Sequence, residues 1–395
     1  MKGIRIAFLF MTILLFFPSC ADQEKPDSDI LFDGEYQLSI EDGAVIQVLD
    51  GNILLYRKHD GNTQMFYSYD LGTKEKKEIG KIENFAMSTN PLPFGKNKDR
   101  LYFYMSTYEK NSEITNLFEM GLENQSIIPL TQETITGKLS YITNLNEEVL
   151  LSLKSNSSNF NTTDVSYVEK YQVDTGFCER IIQKELNANG TRGERIWAIT
   201  AENKKIYLFV VDYSNNDWKI EVYNESGSMI KQYDCNDSRD FFLSDWVANI
   251  EVYGDYVFIA SVNDMSIYKM EKDGLKMVAY ATNVDSFYGA ICLNASGDRV
   301  ALSSRGSNFF LLDTKNDKLY VTKCKNLDEN TEEHIFKLIQ DGENIIYSTS
   351  DPINKIKKYY YSNTKQLMEN SDRTIELSGS VVDLSEEAKY PTPSF

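Results

Sequence analysis

Histidine is scarce in this chain, and the cysteines are not spaced for zinc binding. Its two histidines, His59 and His334, are far apart in the sequence, and there is no CxxC pair or Cys/His cluster. Histidine is the usual general base near neutral pH, and zinc sites are built mainly from cysteine and histidine. We therefore expect no metal site, no cofactor and no histidine-based catalysis.

Acidic loops supply oxygen atoms that could bind calcium. They occur at residues 212–217 (Asp-Tyr-Ser-Asn-Asn-Asp) and 328–330 (Asp-Glu-Asn). Neither loop has the glycine and the distal glutamate of an EF-hand. Because hairpin tips of acidic proteins have this composition anyway, solvated loops are the favoured interpretation.

Carboxylates and aromatic side chains could also act on sugars. A carboxylate pair can cleave a glycosidic bond, and exposed aromatic rings bind sugars; the aromatic candidates are Trp197, Trp218, Trp246 and residues 359–361 (Tyr-Tyr-Tyr). Aromatic side chains mostly fill the interfaces between packed elements. We therefore expect these residues to pack in the core and assign no catalytic residue. No GxSxG nucleophile motif is present either.

The charge balance argues against two classes of partner. The chain carries 41 Lys and Arg against 59 Asp and Glu, a formal charge of −18. Such a surface repels nucleic-acid phosphates and anionic lipid headgroups. We expect no nucleic acid, and no membrane contact through a basic patch.

The N-terminus has the pattern of an export signal. Lys2 and Arg5 precede an apolar run at residues 6–17, which is too short to span a bilayer as a helix. The following Pro-Ser-Cys resembles the lipobox of bacterial lipoproteins, which implies cleavage before Cys20 and lipidation of that cysteine. The prediction is a signal peptide at 1–19, a lipidated Cys20 with an acidic tether at 20–29, and anchoring in the cell envelope, with the outer membrane favoured. A soluble secreted protein is the alternative.

The body of the chain, from about residue 30, shows a repeated strand pattern and no capped helical stripe. Seven short runs rich in Tyr, Phe, Val, Leu and Ile recur every 43 to 57 residues or so, at residues 53–56, 101–104, 149–152, 206–209, 257–260, 300–303 and 345–348. Polar hairpin loops and partner runs follow them. A repeat of this length with about four strands is typical of a propeller blade. We predict an all-β fold, a single β-propeller at 30–395 with seven blades favoured over six or eight. A β-sandwich is the competing fold.

Two stretches resemble the repeat of TolB-like propellers of Gram-negative bacteria. One is residues 293–306 (Leu-Asn-Ala-Ser-Gly-Asp-Arg-Val-Ala-Leu-Ser-Ser-Arg-Gly) with the Phe-Phe-Leu-Leu-Asp at 309–313, and the other is residues 51–79. The resemblance implies an envelope lipoprotein with a propeller body. The ring must also be closed; the runs at 30–40 and 374–384 are both candidates to complete a blade begun at the other end of the chain.

The remaining cysteines leave the redox state open. Cys178, Cys235, Cys292 and Cys324 permit two disulfides in three connectivities. Cys292 and Cys324 fall in one predicted blade and form the favoured pair, but buried free thiols are favoured over any disulfide.

The functional prediction follows from a large rigid platform that lacks residues specialised for catalysis. We expect a non-catalytic propeller that binds an envelope protein, a glycan or a peptide. The alternative is a glycan-active hydrolase or lyase that uses carboxylates in the propeller funnel. A third interpretation is an assembly accessory that uses an exposed apolar patch.

Overall fold

The computed structural model describes most of the chain body. The described residues are 30–33, 37–40, 43–49, 53–83, 85, 92–97, 100–109, 112–130, 138–146, 148–155, 164–187, 189, 192–235, 247–261, 264–282, 298–303, 308–323, 335–350 and 357–388. Several features discussed above lie outside these residues: the predicted signal and tether with Cys20, and also His334, Trp246, Cys292, Cys324 and the loop at 328–330.

Thirty strands and one short helix make up the described structure. The first half of the chain contains β1 (Ile30–Asp33), β2 (Gln37–Ile40), β3 (Gly43–Leu49), β4 (Ile53–Asp60), β5 (Thr63–Asp70), β6 (Lys76–Ile82), β7 (Leu92–Asn97), β8 (Arg100–Glu109), β9 (Ser112–Gly121), β10 (Ser126–Pro129), β11 (Lys138–Asn146), β12 (Val149–Ser155), β13 (Asp164–Gln172) and β14 (Cys178–Leu186).

The second half continues with β15 (Glu194–Glu202), β16 (Lys205–Asp212), β17 (Asp217–Tyr223), β18 (Met229–Asp234), β19 (Val247–Tyr253), β20 (Tyr256–Ser261), β21 (Met265–Met270), β22 (Leu275–Ala281), β23 (Arg299–Ser303), β24 (Asn308–Asp313), β25 (Lys318–Lys323), β26 (Ile335–Asp341), β27 (Asn344–Ser350), β28 (Lys357–Asn363), α1 (Thr364–Glu369), β29 (Arg373–Glu376) and β30 (Val382–Asp383).

The strands form seven small sheets, the blades of a seven-bladed β-propeller. Blades 1 to 4 are β3–β6, β7–β10, β11–β14 and β15–β18; blade 5 is β19–β22 with β30; blade 6 is β23–β25 with β29; blade 7 is β26–β28 with β2 and β1. Each of the seven apolar runs in the sequence lies in a different blade, in β4, β8, β12, β16, β20, β23 and β27. The predicted fold and the favoured blade count are therefore confirmed.

Both terminal regions pair with blades that lie elsewhere in the chain. The N-terminal strand β2 pairs with β28, with Leu38 opposite Tyr359, and this joins the start of the chain to blade 7. The C-terminal run does not close the ring. After α1, which Asn363 caps by accepting a hydrogen bond from the Gln366 amide, β29 pairs with β25 and β30 pairs in parallel with β22. The C-terminal segment therefore joins blade 7 to blades 6 and 5. The helix was not expected from the sequence because one turn is too short for a periodic stripe.

A β-bulge recurs in the innermost strands, which contact one another around the axis. Six of these strands have a register shift near their start, between Val45/Gln47, Pro93/Gly95, Leu139/Tyr141, Ile196/Ala198, Val247/Asn249 and Ile335/Lys337. A bulge increases the local twist of a strand. The repeated position shows that the bulge belongs to the blade repeat.

Apolar clusters fill the interfaces between the blades. Consecutive residues of one strand serve opposite interfaces, because their side chains point to opposite faces of the sheet. On β28, Tyr359 packs in the cluster shared with blade 1, whereas Tyr360 packs in the cluster shared with blade 6. Both tyrosines are buried. This is why inner strands such as β16 and β24 read as nearly continuous apolar runs.

Candidate functional site

A groove with a cavity volume of about 790 Å³ lies between blades 1 and 2. Its lining residues come from β3, β4, β5, β6 and the turn between β5 and β6 in blade 1, and from the turn between β9 and β10 in blade 2. Five aliphatic side chains form its floor, from Leu49, Ile53, Leu55, Ile79 and Leu122. Four charged side chains form its rim, from Asp70, Glu75, Lys77 and Glu123. We call this feature the blade 1–2 groove.

The floor of the groove is part of the core between the two blades. Leu49, Leu55 and Ile79 are at most 4% exposed and pack in the same cluster as Phe66 and Phe103. Close packing holds such side chains in fixed rotamers. These three side chains therefore form a rigid base, and the accessible apolar surface of the floor comes from the half-buried Ile53 and Leu122.

The first side of the rim is fixed by the turn between β5 and β6. The Asp70 carboxylate accepts hydrogen bonds from the Gly72 and Thr73 amides at 2.8 and 2.9 Å. These bonds, the one from Thr73 first, lower the pKa of Asp70. The Asp70 amide also donates to the Glu75 carbonyl at 3.0 Å. Asp70 therefore stays ionised in a closed turn that presents Glu75 at the groove.

The second side of the rim comes from the turn between β9 and β10 of blade 2. A Cβ at Gly121 would lie 2.0 Å from the Asn124 side-chain oxygen, and that oxygen accepts a hydrogen bond from the Ser126 hydroxyl at 2.8 Å. A side chain at position 121 would therefore have to displace the exposed Asn124 side chain. The turn holds Leu122 on the floor and leaves Glu123 exposed at the rim.

The groove combines apolar surface with negative charge. Among the described residues, three carboxylates and one ammonium line it, and none of these lining side chains is aromatic. An aliphatic group beside a positive charge would bury apolar area and meet opposite charge at the rim. The groove is therefore suited to binding a ligand that carries an aliphatic group next to a positive charge.

A second polar cluster lies between blades 3 and 4, toward the opposite face of the disc, where β14 ends and β15 begins. We call Lys184, Glu194, Lys219 and Glu221 the ionic network. Lys184 reaches Glu194 at 2.6 Å and Glu221 at 3.0 Å, and Lys219 pairs with the same two carboxylates. Glu221 is 1% exposed and also accepts a hydrogen bond from the Tyr223 hydroxyl at 2.5 Å.

The charges of the ionic network balance, since two lysines face two glutamates. Burial and the bond to Glu221 raise the pKa of Tyr223, so its hydroxyl keeps its proton. Burial opposes the charge on Glu194, but the bonds from Lys184 and Lys219 outweigh it and lower its pKa. Each of the four charged groups is paired with oppositely charged members of the network. The ionic network therefore fastens blade 3 to blade 4.

The aromatic candidates from the sequence do not form one site. Tyr359 and Tyr360 are buried in two different interfaces, and Tyr361 packs against the first of these. Trp197 and Trp218 both pack against the core between blades 4 and 5, and the Arg195 guanidinium lies 4.7 Å from the Trp197 ring centroid. As expected, the described members are packing residues.

The acidic loop at 212–217 has a structural role. The Asp212 carboxylate accepts hydrogen bonds from the Ser214 amide at 2.8 Å and the Asn215 side chain at 2.9 Å. Asp313, at the end of β24, closes the turn at 314–317 in the same way. Within the described residues, no group of three or more His, Cys, Asp or Glu side chains is placed to hold a metal ion.

The two described cysteines are free thiols in different environments. Cys178 is exposed and Cys235 is buried, and burial raises the pKa of Cys235 to about 12. His59 is exposed at the end of β4. Among the residues that the structure describes, no helix is both long and apolar enough to cross a bilayer.

No protein-family model and no curated protein matches this chain. Solved structures do match in fold. An oligogalacturonate lyase in complex with manganese is 12% identical, with a TM-score of 0.50 over 86% of this chain and 96% of the other. An uncharacterised protein of Listeria monocytogenes is 9% identical, with a TM-score of 0.49 over 92% and 98%.

A third structural match is Sqt1 of Saccharomyces cerevisiae, 8% identical with a TM-score of 0.47 over 81% of this chain and 95% of the other. Likeness at this level of identity shows the fold alone. The seven blades of the structure place the chain among the β-propellers.

Proposed function

We propose that this protein is a cell-envelope lipoprotein, anchored through Cys20, whose propeller binds a protein partner or an extracellular ligand without catalysing a reaction. The observation that carries the proposal is the blade 1–2 groove. It offers a preformed aliphatic floor and an acidic rim, and these are properties of a binding site.

The position of the N-terminal strands fits a lipid anchor. In blade 7, β1 is the outermost strand and β2 lies between it and β28. Ile30, the first described residue, therefore lies on the outer edge of the disc. A tether attached there leaves both faces of the disc open to a partner.

The described carboxylates do not favour the glycan-cleaving alternative. The carboxylates of the ionic network, buried Glu221 and half-buried Glu194, are paired with lysines, and Asp164 is paired with Arg195 at 3.2 Å. A general acid of a glycosidase needs a raised pKa, whereas the pKa of Glu194 is lowered. Burial raises the pKa of Glu202, but its carboxylate is held by a hydrogen bond from the Gly254 amide at 2.8 Å, which opposes this shift.

The test is crosslinking in living cells followed by purification of the intact protein, with Cys20→Ala as the unanchored control. We expect one envelope partner in near-stoichiometric amount, lost in the control. Metabolic labelling with a fatty-acid analogue should mark the wild-type chain and not Cys20→Ala. If no specific partner is recovered, or if the purified protein degrades an envelope glycan, the proposal is wrong.

A further inference from the structure

The shape and charge of the blade 1–2 groove restrict what it can bind. Its floor is aliphatic, and its ten lining residues include three carboxylates and one lysine. An anionic ligand, such as a fatty acid or a phosphate ester, would meet a rim with an excess of two negative charges. A sugar would find no aromatic ring to stack on among the lining residues.

The rim carboxylates come from both blades that border the groove. Asp70 and Glu75 come from blade 1, and Glu123 comes from blade 2. Glu75 and Glu123 are exposed, so they can bind a cation without losing an internal partner of the fold. Asp70 is already held by its own turn and adds a fixed negative charge.

The cavity has the size of a short segment of chain. A volume of about 790 Å³ lies within the range of roughly 300–1,000 Å³ for small-ligand sites. Peptide side chains supply both chemistries that the groove requires, since an aliphatic residue and a lysine or arginine can be neighbours in one extended segment.

We propose that the blade 1–2 groove binds an extended peptide segment of a partner protein in which an aliphatic side chain stands next to a lysine or arginine. The aliphatic side chain lies on Ile53 and Leu122, the two half-buried members of the floor, and the cation lies between Glu75 and Glu123. This inference rests on the proposed binding function and adds the place and the chemistry of recognition.

The test is fluorescence anisotropy with the purified Cys20→Ala chain and a labelled peptide, Gly-Leu-Lys-Val-Arg-Gly. Two control peptides replace either the cations (Gly-Leu-Glu-Val-Glu-Gly) or the aliphatic residues (Gly-Ser-Lys-Ser-Arg-Gly). We expect each control peptide to bind at least tenfold more weakly. Equal binding of the serine peptide would show charge attraction alone and would overturn the proposal.

Two matched variants locate the binding. The double variant Glu75→Gln/Glu123→Gln should weaken the affinity for the labelled peptide about tenfold and reduce its dependence on salt. Glu148→Gln/Glu179→Gln removes two exposed carboxylates from blade 3 and should have no such effect. Equal losses in both variants, or none in the first, would overturn the proposal.

The same groove variant in cells separates this inference from the proposed function. If wild-type protein and groove variant capture the same envelope partner equally well, the groove proposal is wrong and the binding function stands. If neither the wild-type protein nor the groove variant captures a partner, and the peptide does not bind, the proposed function and the groove proposal are both wrong. If only the groove variant loses the partner, the result supports both the proposed function and the groove proposal.

Discussion

The interface between blades 3 and 4 and the block of blades 5, 6 and 7 are held together in different ways. In the block, one continuous apolar cluster runs through all three blades, and β29 and β30 cover outer strands of blades 6 and 5. Between blades 3 and 4, an apolar layer is overlaid by the ionic network. The block depends mainly on buried apolar area, and its ion pairs, such as Lys269–Asp317 and Arg299–Glu343, are partly exposed. The blade 3–4 interface depends also on a buried charge, since Glu221 is 1% exposed.

This difference bears on which blade edges stay open. Blades 5 to 7 receive extra strands from the chain termini, whereas β14 and β18 are the last strands of their sheets in the described chain. Phe177 immediately precedes β14, and Met229 and Ile230 are the first two residues of β18. They are 60%, 54% and 53% exposed, respectively. An uncovered edge with exposed apolar side chains can pair with another chain. The two halves of the disc therefore differ in their outer surface as well as in their interfaces.

Removing the C-terminal segment should have the largest effect. A chain that ends after Ser371 loses β29 and β30 and the buried Ile375, Leu377 and Leu384. At roughly 1.5–3 kcal/mol for each buried side chain, we expect a loss of about 5 kcal/mol in the free energy of unfolding. The loss in the free energy of unfolding is measured by urea unfolding.

A chain that ends after Ala388 keeps both strands and serves as the control, with no expected change. If the two truncated chains unfold at the same urea concentration, burial of the apolar side chains of the C-terminal segment does not stabilise blades 5 to 7.

Neutralising Glu221 should have the next largest effect. Glu221→Gln keeps the shape of the side chain but leaves Lys184 and Lys219 with one carboxylate, Glu194, between them. Breaking a buried ion pair costs about 3–5 kcal/mol, so we expect a loss of about 3 kcal/mol, measured by urea unfolding at pH 7.

The matched control is Glu343→Gln, which removes an exposed pair with Arg299 at 2.9 Å. Exposed pairs contribute about 0–1 kcal/mol. Similar losses in the two variants would mean that burial of the ionic network has no energetic consequence.

Acidification should have the smallest effect and should act on the blade 3–4 interface. The pKa of Glu194 is lowered in the folded protein, so its contribution is present above the ordinary glutamate pKa of about 4.3 and is lost as the pH falls through the folded value. We expect wild type to lose more stability than Glu194→Gln when the pH falls from 6 to 3. Parallel pH profiles of the two proteins would contradict this.

The sequence was sufficient for the fold because the blade repeat is local. Runs such as residues 206–209 and 257–260 repeat at blade spacing, and the turns after Asp70 and Asp313 are encoded within a few residues. The anchor at Cys20, the tether and the TolB-like resemblance remain predictions from the sequence.

The blade 1–2 groove could not be predicted in this way. Its two banks meet only when blade 1 packs on blade 2, and the residues that form them, such as Glu75 and Glu123, are nearly fifty positions apart. The turn at 71–73 was visible as a turn, but nothing in it pointed to Leu122. The ionic network is similar, because it joins Lys184 of one blade to Glu221 of the next.

The sequence by itself determined the strands, the seven repeats and the negative charge, since each depends on residue type and short-range spacing. Tertiary structure decided which end of the chain completes blade 7, where the C-terminal strands attach and which charges meet. Those outcomes depend on contacts between residues distant in sequence, and their energies arise only when the blades pack and exclude water between them.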